Sequence, residues 1–187
     1  PFGGRYRLID FVLSNMVNSG ISNVGLVVQH KYRSLMDHLR SGKEWDLARK
    51  RDGLFFLPPA YSRFPMQMHR GDVEDMYANL DYISNSRQKY VVISGVNMLT
   101  NLDYRAALDF HLEKAADVTV LYTPADCTRQ DCSKANVLEL DDESRVLDIK
   151  QYGQRRADQP MSMEMFIMEK ELLIDLINES ISQGDSD

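Results

Sequence analysis

Apolar residues recur along the 187-residue chain at two spacings, and the alternation between them lays out its elements. Leu8, Phe11, Val12, Leu13 and Met16 fall at near-helical spacing over residues 7–18, and Ser19-Gly20 supplies a stop. Residues 23–29, Asn-Val-Gly-Leu-Val-Val-Gln, predict a short buried strand. A second amphipathic helix over 31–40 carries Leu35, Met36 and Leu39 on one side, with Gly42 just past its end. Residues 43–70 keep neither period and read as an irregular connection holding Leu54-Phe55-Phe56-Leu57-Pro58-Pro59. Connections of that length in compact domains are usually functional or mobile.

The rhythm resumes at Asp72, an N-cap candidate for a helix with Val73, Met76, Tyr77, Leu80 and Ile83 on one face. A buried strand follows at 90–94, then a helix capped by Asp103 and running through 114, then a strand at 117–123. Residues 136–140 and 145–149 flank Asp141-Asp142-Glu143-Ser144 and read as a hairpin. A strand at 163–168 and a helix at 170–182 close the pattern. Such alternation implies an α/β fold: a doubly wound, mostly parallel sheet covered on both faces. The hairpin is then an insertion or an antiparallel edge.

Composition narrows the function classes. No apolar run approaches the roughly 20 residues of a membrane span. With 22 basic and 28 acidic residues the net charge is −6, which argues against nucleic acid as a partner. Cys127 and Cys132 lie in a polar stretch with no second ligand pair, so neither zinc nor redox chemistry is expected of them. That cysteine usage suits a reduced, cytoplasmic protein.

Open α/β sheets bind ligands beyond the carboxyl ends of their strands. Three such ends are predicted: Gln29-His30, Gly95-Val96-Asn97 and Thr123-Pro124. A phosphate-transfer enzyme of this architecture needs a carboxylate there to hold Mg²⁺. Gly95-Val96-Asn97 offers none, and the nearest acid, Asp103, reads as a helix cap. No metal ligands are therefore assigned. His30, His38, His69 and His111 lack metal-ligand spacing. Arg49-Lys50-Arg51 reads as a solvated loop, with an anion site as the alternative. Asp72, Glu74 and Asp75 fit the dipole at a helix start, with metal binding as the alternative.

Residues 2–15, Phe-Gly-Gly-Arg-Tyr-Arg-Leu-Ile-Asp-Phe-Val-Leu-Ser-Asn, followed by Asn18-Ser19-Gly20-Ile21, resemble the opening signature of bacterial glucose-1-phosphate adenylyltransferase, the ADP-glucose pyrophosphorylase family. Residues 29–39, Arg70-Gly71, Asn79-Leu80-Asp81, 90–95, Asp103-Tyr104 and Ser162-Met163 fall in register with the same family. The resemblance implies that residues 1–187 are part of a nucleotidyltransferase-like domain of the Rossmann-like, sugar-nucleotidyltransferase type. The family's N-terminal phosphate loop would precede Pro1, and its C-terminal left-handed β-helix domain is not represented in this chain.

The departures from that family pattern carry more information than the matches. Active members have Gly-Asp-His after the central strand, with the aspartate holding Mg²⁺, where this chain has Gly95-Val96-Asn97. Their Gly-Thr-Ala-Asp-Ala corresponds to Gly71-Asp72-Val73-Glu74-Asp75, and their Phe-Gly-Val to Ala135-Asn136-Val137. Their Val-Glu-Lys-Pro, whose glutamate and lysine contact glucose-1-phosphate, corresponds to Lys150-Gln151-Tyr152-Gly153. Their Ser-Met-Gly is Ser162-Met163-Glu164. The resemblance thus implies a site with Val96, Gln151 and Tyr152 at degenerate catalytic positions. Its substrate-site remnants are Gly71, Asp72, Gly95, Asn97, Asn136, Ser162 and Glu164.

Removing one charge-stabilising contact typically costs about 100- to 1,000-fold in rate, so several losses together leave essentially no turnover. The pattern is most similar to the non-catalytic GlgD-type subunit of the family. That likeness implies a catalytic partner subunit, a heterotetramer and a small-molecule effector, with Arg5 and Gln29 at positions linked to activation. No cofactor is expected to bind here, Mg²⁺ belonging to the family reaction. The alternative is an active nucleotidyltransferase making ADP-glucose from ATP and glucose-1-phosphate.

Overall fold

The computed structural model describes residues 2, 4–28, 32–60, 71–129, 132–151 and 156–184. Along them run α1 (Leu8–Asn18), β1 (Asn23–Val27), α2 (Tyr32–Leu39), a 3-10 turn (Lys43–Trp45) and β2 (Gly53–Leu57). Next come α3 (Asp72–Ala78), α4 (Leu80–Asn85), β3 (Tyr90–Ser94), α5 (Tyr104–Glu113) and β4 (Val118–Ala125). The order ends with β5 (Asn136–Leu140), β6 (Val146–Gln151), β7 (Gln159–Glu169) and α6 (Lys170–Gln183).

The sheet arrangement corrects the expectation of a mostly parallel sheet. Only β1 and β2 pair parallel, from Asn23 opposite Gly53 to Val27 opposite Leu57. The other five described strands form a separate sheet in which every pairing is antiparallel. The fold is mixed α/β. β7 causes the difference: it returns antiparallel and pairs with both β3 and β4, as Ile167 sits opposite Val92 and Thr119. β3 and β4 do point the same way, as a crossover through α5 requires, but β7 lies between them. β5 and β6 pair antiparallel around residues 141–145, where Asp141 Oδ1 accepts from the backbone N–H groups of Glu143 and Arg145 at 2.9 and 2.8 Å.

Three local readings also change. The stretch 43–70 was expected to be irregular, yet it contains the 3-10 turn and β2. Gly-Leu-Phe-Phe-Leu shows no polar alternation, and its strand character comes from pairing with β1. The single helix expected from Asp72 is two, broken at Asn79, whose side chain donates to the carbonyls of Pro58 and Asp75, both at 2.8 Å. Gly71, rather than Asp72, is the N-cap position. β4 continues through Thr123-Pro124 to Ala125, so no strand ends there. Among the described residues β4 pairs with β7 alone, and an edge strand tolerates a proline.

Both faces of the larger sheet are covered. Val92 packs toward Tyr104, Met163 and Met165, on the side of α5 and α1. Val91 and Ile93 pack toward Met168, Leu173 and Ile177, together with Val73, Met76, Leu80 and Ile83 of α3 and α4. Met165 and Ile167 are 0% exposed. Met16 and Ile21 touch both this core and the Ile9, Val12, Leu13, Val24, Leu39 and Leu47 cluster, joining the two sheets through α1. Cys127 and Cys132, expected to be reduced, form a disulfide with Cα atoms 5.5 Å apart. The bond lies buried against Ala125, Ala135 and Met161, its Cα separation within the usual bridging range. No helix among the described residues is long and apolar enough to cross a membrane.

Candidate functional site

The carboxyl end of β3 is held in place from α1. Asn15 Nδ2 donates to the carbonyl and hydroxyl of Thr100 at 3.0 and 3.2 Å, and its Oδ1 accepts from Leu102 N–H at 3.4 Å. Ser19 Oγ accepts from Tyr104 N–H at 2.8 Å. Asp103, as expected, caps α5 by accepting from Arg105 N–H at 3.0 Å. The Arg105 guanidinium binds it too, and these hydrogen bonds hold its carboxyl down at about 2. Tyr104 reaches back under the strand end, donating to Ser94 Oγ at 3.3 Å, and its phenol is raised mainly by burial. Asn15 and Ser19 are buried polar groups with complete roles, so the loop leaving β3 is a preset surface.

Four of the residues singled out by sequence converge on that surface. Gly95 N–H donates to the Glu164 carbonyl at 3.1 Å, and Asn97 Nδ2 donates to Glu164 Oε2 at 2.7 Å. Glu164 N–H in turn donates to Ser162 Oγ at 3.2 Å. Glu164 is presented by a bulge: the β4–β7 register passes from Leu121 opposite Met165 directly to Tyr122 opposite Ser162. Met163 and Glu164 are thereby left without partners on β4, and Glu164 takes a left-handed backbone with φ +55°. Further along the same sheet, Asn136 sits opposite Gln151, one position from Val137 opposite Met161. Lys150, neighbouring Gln151, is drawn into an ion pair with Glu139.

The remaining assignments fall elsewhere. Gly71 and Asp72 open α3, whose Val73 packs against the same Met168, Leu173 and Ile177 cluster as Ile93. Asp75 is neither an exposed dipole partner nor a metal candidate: it is 1% exposed and accepts from Ala60 N–H at 2.7 Å. Arg5 stands on a loop closed by the Phe2–Tyr6 backbone pairing, with Phe2 and Tyr6 stacked against Phe11. It is exposed and makes no ion pair with another described residue. His38 is bonded to Asp10 at 2.7 Å, and buried His111 to Thr119 at 2.8 Å, so both are structural. Arg49 pairs with Asp46, while Arg51 lines a hollow together with Asp52 and Asp81. Gln29, Tyr152, His30, His69 and Arg70 lie outside the described residues.

The donor set at the β3 end does not suit the Mg²⁺ that phosphoryl chemistry of this architecture requires. Val96 presents no oxygen from its side chain, and the one carboxylate of the cluster, Glu164, is hydrogen-bonded to Asn97. Among the described residues no group of three or more His, Cys, Asp or Glu side chains could share a metal ion. The sequence reading missed the supporting roles of Asn15 and Ser19. Their signal was available: small polar residues four apart, Asn15 in α1 and Ser19 at its C-cap, next to the apolar residues of the helix. It also missed the Asn97–Glu164 contact, for which nothing local could serve as a signal.

Comparison with known proteins places this geometry in a family. The model of the family described as Nucleotidyl transferase matches residues 1–185. The glycogen biosynthesis protein GlgD of Geobacillus stearothermophilus is 41% identical over 184 residues, covering 98% of this chain and 43% of that protein. The glucose-1-phosphate adenylyltransferase of Thermomicrobium roseum is 35% identical over 177 residues, 94% of this chain and 41% of that enzyme. The crystal structure of HddC from Yersinia pseudotuberculosis shares the fold, with a TM-score of 0.62 at 15% identity over 90% of this chain and 64% of that one. The chain spans less than half the length of the two sequence relatives. A mixed α/β fold, a family match along nearly the whole chain and two long alignments agree: this chain belongs to the nucleotidyl transferase family, in the company of GlgD and the glucose-1-phosphate adenylyltransferases.

Proposed function

We propose that this chain is the nucleotidyltransferase-type domain of a regulatory subunit in ADP-glucose synthesis for glycogen, without turnover of its own. The observation that carries the reading is the strand end at Gly95-Val96-Asn97. The place for a metal-holding carboxylate is valine, and the neighbouring asparagine is committed to Glu164. Transfer between ATP and a sugar phosphate depends on cations neutralising developing negative charge. A site offering an apolar side chain and a carboxylate in their place lacks that source of rate. Meanwhile the core beneath it is closely packed, with Met165 and Ile167 fully buried, so the loss of ligand groups leaves the scaffold intact. The partner is a catalytic glucose-1-phosphate adenylyltransferase subunit in a heterotetramer, and Arg5, exposed at its loop tip, is the effector contact within the described residues.

The test uses the full-length protein, assayed for ADP-glucose formation from ATP, glucose-1-phosphate and Mg²⁺, alone and mixed with a catalytic homologue. The expected result is silence alone and an altered rate or activator response in the mixture. Robust turnover by the protein alone would establish the competing reading, an active nucleotidyltransferase. An Arg5→Ala variant is expected to keep assembly while losing the activator response.

A further inference from the structure

Glu164 occupies an unusual place. Among the described non-glycine residues with positive φ, it alone lies within a strand; the others, such as Arg40, Asp46 and Ser144, lie outside the regular helices and strands. A left-handed backbone disfavours any side chain bearing a Cβ, so a glutamate held there by several contacts marks a position where the side chain itself has a use. Three hydrogen bonds hold it: its carbonyl accepts from Gly95, its N–H donates to Ser162, and its carboxylate accepts from Asn97. The bulge that excludes Met163 and Glu164 from β4 pairing aims the Glu164 side chain over the end of β3.

Gly95 reveals what that side chain covers. A Cβ added at Gly95 would stand 3.0 Å from Asn97 Oδ1 and 3.4 Å from Glu164 Oε2. The glycine therefore leaves a cradle above the backbone, and the asparagine–glutamate pair fills it from within. Gly95, Asn97, Ser162 and Glu164 are the positions that the proposed function reads as the remnant of a substrate site, and they meet at this place.

We propose that the Glu164–Asn97 pair covers the surface at the end of β3 above Gly95, an autoinhibitory contact that excludes phosphorylated sugars and sugar nucleotides. This rests on reading that strand end as a degenerate nucleotidyltransferase site and adds to it: the site is covered as well as stripped of ligands. Two effects act together. The pair takes up the volume above Gly95, and the carboxylate sets a negative charge against an anionic ligand at a solvent-exposed position, so the charge adds a modest, salt-screened penalty to the steric one.

The experiment measures binding of ADP-glucose and of glucose-1-phosphate to the full-length protein by calorimetry, with E164G, E164Q and N97A beside the parent. E164G relieves the left-handed strain and opens the cradle, so it is expected to tighten ADP-glucose binding by about tenfold or more. E164Q keeps the shape and removes the charge, and is expected to recover part of that gain; N97A, which unties the carboxylate, is expected to recover a smaller part. Thermal melting checks that each variant is folded, with E164Q as the conservative control if E164G is not. Affinities within twofold of the parent for folded E164G and E164Q would overturn the proposal and leave the regulatory reading intact. ADP-glucose synthesis by the unmutated protein alone would overturn both readings, whereas unchanged affinities in the binding series overturn the pair's role alone, so the two failures are distinguishable.

Discussion

Two stretches of one strand, β7, behave differently. From Met165 to Met168 it is paired on both sides, with β3 and with β4, and its apolar side chains feed cores on both faces. Directly before it, at Met163 and Glu164, the β4 register breaks, the backbone turns left-handed at Glu164, and the Glu164 side chain enters a polar contact at the surface. The first stretch carries stability because its atoms have partners on every side. At Glu164 the exposed side chain has polar partners only, so its residue type is set by those contacts rather than by the packing of the core.

Substitution in the paired stretch should produce the largest effect. Met165→Ala leaves a cavity between α5 and the sheet and is expected to cost about 3 kcal/mol, read as a shift in the urea midpoint with unchanged slope. A loss under 1 kcal/mol would mean that the β7 centre is not the structural core argued for it. Opening the Cys127–Cys132 bridge comes next. Its sequence separation is only 5, so the constraint it places on the unfolded chain is worth about 2 kcal/mol, measured as the difference between oxidised and dithiol-reduced protein.

The bulge should respond in the opposite manner. Glu164→Gly removes backbone strain and one exposed hydrogen bond together, and the net change in stability is expected to stay within about 1 kcal/mol. If that substitution cost as much as Met165→Ala, the contrast between the two stretches would collapse. The smallest expected effect lies at Asp103. Hydrogen bonding to Arg105 holds its folded carboxyl at about 2, below its usual 3.8, so its contribution is present above about pH 4. As pH falls from about 4 toward 2, that contribution disappears, and melting temperature should fall more steeply for the parent than for Asp103→Asn.

Much of the local architecture was legible in the residues. The 90–94 strand is observed with the bounds that its apolar run implied, and Asp103 caps α5 as its position before an amphipathic segment suggested. β2 was not legible, because Gly-Leu-Phe-Phe-Leu carries neither period and becomes a strand by pairing with β1. The break at Asn79 was hidden for a related reason: the apolar spacing continues across it, while the interruption accompanies hydrogen bonds from the Asn79 side chain to Pro58 and Asp75. For the site, the chain's departures at Val96, Gln151 and Glu164 were visible as residue types, whereas the use to which Glu164 is put was not.

The sequence by itself determined the 90–94 strand and the cap of α5, which faces are apolar, and that no side-chain carboxylate stands directly after β3 in Gly95-Val96-Asn97. These are properties of residues within a turn or two of one another, fixed by backbone sterics and hydrophobic period. Only the tertiary structure decided that β7 runs antiparallel between β3 and β4, that Cys127 meets Cys132, and that Asn97 binds a glutamate 67 residues away. Strand order and long-range polar contacts depend on which packed arrangement buries the most apolar surface with its backbone groups paired. That comparison is made by the whole chain at once, and no local window contains it.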